Sequence, residues 1–149
     1  MKKILLLAVA MIGFATAASA QVFEKGTNNI TFTAGFGGGY GVPVALSYEK
    51  GVVDFAADHK LGVGAYLGFG DNYIFPAAEC NYHFVGVSNL DLYGGVRLGL
   101  LAGTNGGASG IFWTSFDIGA NYFFSDKWAI NAEVGSGLGA LNLGVTHRF

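Results

Sequence analysis

Leu138 to Phe149, LGALNLGVTHRF, closes the chain and reads as a β-strand. Leu141, Leu143, Val145, His147 and Phe149 fall on one face, and Asn142, Gly144, Thr146 and Arg148 on the other. That period of two belongs to a strand lying between two different environments. A strand at the end of an open sheet leaves unpaired backbone groups exposed, whereas a closed barrel pairs its last strand with its first and has no edge. The preceding sequence must then supply the other staves.

The first residues stand outside any fold. Lys2 and Lys3 precede an apolar run from Ile4 to Ala18 that finishes in Ala18-Ser19-Ala20. A charged head, an apolar middle and a small-residue end make a secretory signal, cleaved after Ala20. A membrane-crossing helix needs about 20 apolar residues, and this run is shorter. No Cys follows the cleavage point, as in an ordinary exported protein rather than a lipoprotein. The expected organisation is a signal peptide, 1–20, and one barrel domain, 21–149.

Without Lys2 and Lys3 the formal charge of −2 becomes −4, and no basic face is available for nucleic acid. Cys80 is the single cysteine, so no internal disulfide holds the exported fold. It falls on an apolar strand face, where it serves as a small hydrophobe. Charged residues make up 12% of the chain, about half the usual share, and 25 of its 149 residues are glycine. A water-facing surface built from this composition would be short of charge.

Seven more strands precede the last. In the first, Ile30, Phe32, Ala34 and Phe36 oppose Thr31, Thr33, Gly35 and Gly37, and after Gly38-Gly39-Tyr40-Gly41 the second sets Val42, Val44, Leu46 and Tyr48 against Pro43, Ala45, Ser47 and Glu49. Val53 to His59, with Asp54 and Asp58, reads as a turn. The third strand alternates Leu61, Val63, Ala65, Leu67 and Phe69 with Gly62, Gly64, Tyr66 and Gly68. Gly70-Asp71-Asn72 turns the chain into the fourth, where Ile74, Pro76, Ala78, Cys80, Tyr82 and Phe84 oppose Tyr73, Phe75, Ala77, Glu79, Asn81 and His83. The fifth places Leu90, Leu92, Gly94, Val96, Leu98 and Leu100 against Asp91, Tyr93, Gly95, Arg97 and Gly99. Ala102 to Gly110 reads as a surface loop, since no helix follows that would make its glycines a phosphate cradle. The sixth sets Phe112, Thr114, Phe116, Ile118, Ala120, Tyr122 and Phe124 opposite Trp113, Ser115, Asp117, Gly119 and Asn121. Ser125-Asp126 is expected to make the shortest turn, and the seventh strand sets Trp128, Ile130, Ala132 and Val134 against Asn131, Glu133 and Gly135.

Alternation alone does not say which face meets water, because a soluble barrel and a membrane barrel share it. The polar face decides. It is mostly Gly, Asn, Thr, Ser and Tyr, with isolated charges at Glu79, Arg97, Asp117 and Glu133, where a solvated face would carry many Lys and Glu. Such a face suits the narrow interior of an eight-stranded barrel, which side chains just fill, and glycines there make room for Tyr66, Tyr73, Tyr93 and Trp113. Tyr82, Phe84, Tyr122, Phe124, Trp128 and Phe149 all sit on the apolar face beside the same set of connections, as an interfacial girdle does. Strands of about nine residues at ~3.3 Å each, tilted ~40°, reach roughly 23 Å, close to the ~25 Å apolar band of membrane barrels. The fold expected is all-β: an eight-stranded antiparallel up-and-down transmembrane β-barrel, its apolar face toward lipid. With an even number of strands after an export signal, both termini are expected in the periplasm, with the outward loops near Gly38, Asp71, Asn105 and Gly137.

The runs ALSYEKGVVD and LGVGAYLGFG, IFPAAECNYHFVGVSNLDLYGGVRLG, and NYFFSDKWAINAEVGSGLGALNLGVTHRF resemble the small porin-like outer membrane β-barrel proteins of Gram-negative bacteria. The resemblance covers nearly all of 21–149. It implies an outer membrane location, outer membrane lipids and the barrel insertion machinery as partners, and Phe149 as an insertion signal as well as a girdle residue.

For the interior, Glu79, Arg97, Asp117 and Glu133 come from consecutive strands, face inward, and lie well away from either end, so they are expected to meet at mid-height and plug the lumen. The function expected is a structural or interaction barrel with a narrow, largely plugged lumen. The alternatives are a small porin-like channel for ions or small solutes, an outer membrane lipid-modifying enzyme and a soluble ligand-binding barrel. Catalysis needs a nucleophile, a base and an orienting acid together. The histidines do not supply this: His59 falls in a turn, His83 near a strand end and His147 on the lipid-side register. No metal-ligand spacing occurs, and no cofactor or catalytic residue is expected.

Overall fold

The structure, a computed structural model, describes residues 23–56, 59–87, 89–104 and 109–149. They form β1 (Asn28–Phe36), β2 (Val44–Ala56), β3 (His59–Gly70), β4 (Tyr73–Val87), β5 (Leu90–Gly103), β6 (Ser109–Phe123), β7 (Trp128–Gly135) and β8 (Leu141–Arg148). Each strand pairs antiparallel with the next, and β1 pairs with β8 from Asn29↔Arg148 to Phe36↔Leu141, closing the barrel. Up-and-down connectivity follows from the short links, because only antiparallel neighbours can be joined by so few residues.

The strands differ from the sequence reading at their ends. Val53 to Ala56 are strand rather than turn: β2 continues to Ala56, through register shifts at Gly51/Val53 and Asp54/Ala56, and β3 begins at His59. Asp58 lies outside the described residues. The bulges let polar and apolar residues break their alternation without breaking the ladder, which hides the strand from a period-two reading. The loop assigned to Ala102–Gly110 is shorter as well, since β5 runs through Gly103 and β6 begins at Ser109; Asn105 lies outside the described residues. β2 starts at Val44 rather than Val42, and β2 to β6 are longer than nine residues. Ser125-Asp126 is not the shortest turn. Phe124–Lys127 joins β6 to β7, whereas Asp71-Asn72 alone joins β3 to β4, with Asp71 at φ 33.

One geometric quantity positions the interior. From Thr31 the pairing runs through Ser47, Tyr66, Ala77 and Gly99 to Trp113 in one direction. In the other it runs through Thr146 and Ala129 to Phe123. The two routes reach β6 10 residues apart, 113 against 123. That stagger tilts the strands by roughly 40°, and a ring at constant height must drift by about 1.25 residues per strand.

The outer wall is apolar: Phe32, Leu46, Leu98, Phe116, Ile118 and Val134 are all exposed, Phe116 to 64%. The inner wall buries Asn29, Glu49, Glu79, His83, Asp91, Arg97, Asp117, Asn121, Asn131, Glu133 and Thr146. This inversion of the soluble pattern, with charges inside and large hydrophobics outside, is stable where the surroundings are hydrocarbon. Cys80 is only partly buried and opposes Val63 and Val96 on the apolar side.

Candidate functional site

The stagger brings the interior charges together. Glu79 lies directly opposite Arg97; Arg97 faces Ser115, with Asp117 two residues nearer the end that carries the β6–β7 connection; Asp117 faces Gly135, with Glu133 again two residues nearer that end. The drift from Glu79 to Glu133 is thus 4 residues over three strand steps, against the ~3.75 that constant height requires. All four side chains reach one layer. Arg97 donates from Nε to Glu79 Oε2 at 3.2 Å, from Nη1 to Asp117 Oδ2 at 2.7 Å and from Nη2 to Glu133 Oε1 at 2.9 Å. Its guanidinium also lies 4.4 Å from the centre of the Tyr66 ring, a cation–π contact. A planar fork of five N–H donors, always charged, suits arginine to meeting three carboxylates at once.

The layer extends through uncharged groups. Tyr93 donates its hydroxyl to Glu133 Oε1 at 2.7 Å and accepts from Asn131 Nδ2 at 2.8 Å. Asn121 Oδ1 accepts from Asn131 Nδ2 and from the Thr146 hydroxyl, each at 2.9 Å, and Thr146 shares a further bond with Thr31. The Tyr93 ring lies over Gly119, where a Cβ would overlap it, so the glycine is what admits the ring.

Above this layer, at the end carrying Gly38, Asp71 and Gly137, the interior turns apolar. Ala45, Tyr66, Phe75, Leu101 and Leu138 form a buried cluster, with Tyr40, Tyr73, Ala77 and Trp113 packed on it. Leu138, from the β7–β8 connection, is 1% exposed, and its backbone sits against Gly38 of the β1–β2 connection, where any Cβ would collide with it.

Below the Arg97 layer is a second charged group that the sequence reading did not assemble. His83 bridges two carboxylates, Nδ1 to Asp91 Oδ1 at 2.7 Å and Nε2 to Glu49 Oε1 at 2.9 Å. Arg148 donates from Nε to Asn29 Oδ1 at 3.0 Å, and its Nη2 lies 3.8 Å from Asp91 Oδ2. Glu49, His83, Asp91 and Arg148 all fall on the polar register in the sequence. That was the available signal, but register parity gives a face and not a height. Phe23 had no such signal, because it precedes the first strand. It is 0% exposed, stacked on the His83 imidazole at 3.7 Å with the rings 9° apart, and 5.9 Å from the Arg148 guanidinium.

The residues expected to form a girdle lie at the same end as Phe23. Tyr82, Phe124, Trp128 and Phe149 are exposed, and Phe84 and Tyr122 partly so. Trp128 packs against His147 at 4.5 Å, and His147 stacks with Phe149 at 6.0 Å and Tyr82 with Phe84 at 6.5 Å. Phe149 is tied to the opening strand, its N–H donating to Asn28 O at 3.0 Å. His59 contacts the Tyr82 hydroxyl through Nδ1 at 2.8 Å on the outer wall.

A chain from the de novo design of transmembrane β-barrels is similar to this one with a TM-score of 0.66 at 17% identity, over 85% of this chain and 98% of the design. This chain has the fold of an eight-stranded transmembrane β-barrel. Ail, the attachment invasion locus protein of Yersinia pestis, is similar at TM-score 0.45 and 17% identity, over 84% of this chain and 99% of that one. No protein-family model matches the sequence, and no curated protein does. Among the described residues of this transmembrane barrel, no group of three or more His, Cys, Asp and Glu side chains is arranged to hold a metal ion.

Proposed function

We propose that this protein is an outer membrane β-barrel with a closed lumen, acting as a structural or interaction module rather than as a conduit. The observation that carries the reading is the Arg97 guanidinium bonded inside the lumen to carboxylates from β4, β6 and β7. A solute crossing at this height would have to break charge-assisted bonds between groups that have already lost their water, which is costly on both sides. A pore lined for conduction instead keeps its charges hydrated and weakly paired, so that ions can enter and leave.

Both termini sit in the periplasm in this reading, the girdle marks the inner interface, and lipids and the barrel insertion machinery are the partners. The protein is not proposed to be an enzyme. To act as a general base His83 would need a ring nitrogen free to take a proton, and both of its nitrogens are held by carboxylates. Recording from the purified protein in a planar bilayer tests the proposal. A baseline without discrete steps is expected, and steps in the parent protein would replace the closed barrel with a small channel.

A further inference from the structure

We propose that residues 23–27 form a latch that seals the inner mouth of the barrel, with Phe23 as its bolt. The segment is fastened by its own bonds. Glu24 and Thr27 close a turn, with Thr27 N–H donating to Glu24 O at 3.0 Å and Glu24 N–H to the Thr27 hydroxyl at 3.1 Å. Gly26 N–H donates to Gly51 O at 2.9 Å, Gly51 N–H returns a bond to Thr27 O at 2.8 Å, and Lys25 N–H donates to Asp54 Oδ1 at 2.9 Å. Gly51 lies at the start of the first register shift in β2, and a Cβ there would collide with Glu24 O, so the bulged strand end is shaped to receive the turn.

The turn aims Phe23 into a seat built from strands on both sides of the barrel. His83 of β4 supplies a parallel ring face and Arg148 of β8 a cation; Tyr93 flanks His83 at 5.3 Å, and Arg148 lies 4.1 Å from the Phe123 ring. An apolar side chain buried among ionic groups is poorly explained as core packing. Its ring instead covers the His83–Asp91–Glu49 bonds and keeps bulk water from them, which strengthens each one. The latch is therefore a second closure below the Arg97 layer. It rests on the closed-lumen reading but would stand as a water seal even if the Arg97 layer leaked.

Thr146 is placed to report on it. It is fully buried, and it lies between the two layers: its hydroxyl bonds to Asn121, which joins the Tyr93–Glu133 network above, while Arg148 lies two residues nearer the mouth. In full-length protein carrying Cys80→Ser and Thr146→Cys, refolded in lipid vesicles, the rate of reaction with a water-soluble cationic methanethiosulfonate is measured with Phe23 present and with Phe23→Ala. The expected result is slow labelling in the parent and labelling faster by about tenfold or more in the variant, because local opening is no longer needed. Equal rates, or fast labelling in the parent, would overturn the latch. If Phe23→Ala does not assemble, Phe23→Leu is used, which fills the seat without a ring and should give an intermediate rate; a rate equal to the parent's would again overturn it. Conductance is recorded in parallel. Faster labelling without current supports the latch and the Arg97 plug together; equal labelling without current overturns the latch and leaves the plug, and current in the parent overturns both, since an ion crossing the lumen must pass each closure.

Discussion

Arg97→Ala is the most informative single change. It removes three charge-assisted bonds, at 3.2, 2.7 and 2.9 Å, and leaves Glu79, Asp117 and Glu133 at 4%, 6% and 5% exposure without their cation. Glu133 keeps the Tyr93 hydroxyl, so the loss falls mainly on Glu79 and Asp117. Removing one side of a buried pair costs about 3–5 kcal/mol, which is roughly two to nearly four powers of ten in the unfolding equilibrium. The penalty comes from the uncompensated carboxylates rather than from the lost cavity filling. Adding Glu79→Gln and Asp117→Asn to Arg97→Ala should therefore recover much of it, although more atoms have changed. Arg97→Lys keeps the charge and loses the fork, and should cost less than the alanine change. The assay is urea unfolding of the refolded barrel in lipid vesicles, paired with planar-bilayer recording, where Arg97→Ala combined with Phe23→Ala, which removes both closures, should raise conductance above the parent's. A variant with unchanged stability but altered ion selectivity would mean a water-lined pore. One that matches the parent in both measurements would refute any role for the layer.

Three further outcomes are expected. The protein should fractionate with outer membranes and change its mobility on a detergent gel after boiling, because a barrel with every strand paired resists detergent until heated; recovery as a soluble periplasmic monomer would contradict the proposed location. Deleting Phe149, whose N–H bonds to Asn28 O across the seam, should lower the amount of assembled barrel at unchanged synthesis, and normal assembly would remove its role as insertion signal. Gly119→Val would drive a side chain into the Tyr93 ring and should destabilise the barrel by about 1–3 kcal/mol, read as a lower urea midpoint. An unchanged midpoint would show that the ring has somewhere else to go.

What the sequence determined by itself was parity. A period of two assigned nearly every strand residue to a wall, and the scarcity of Lys and Glu on the polar wall showed that wall to be the interior. Glu79, Arg97, Asp117 and Glu133 were legible as a group because they sit far from strand ends in consecutive strands, where an error of a residue or two in a strand's boundary does little harm. Parity is a local property, set by backbone geometry within each strand. Height is not, since it depends on the 10-residue stagger accumulated around the whole barrel and on the bulges in β2, β4 and β6. Only the closed structure could therefore collect Glu49 from β2, His83 from β4, Asp91 from β5 and Arg148 from β8 into one group, although each had the right parity. Phe23 belongs to no strand and has no period to betray it. Its place was decided by the seat that those charges build and by the β2 bulge that turns the chain toward it.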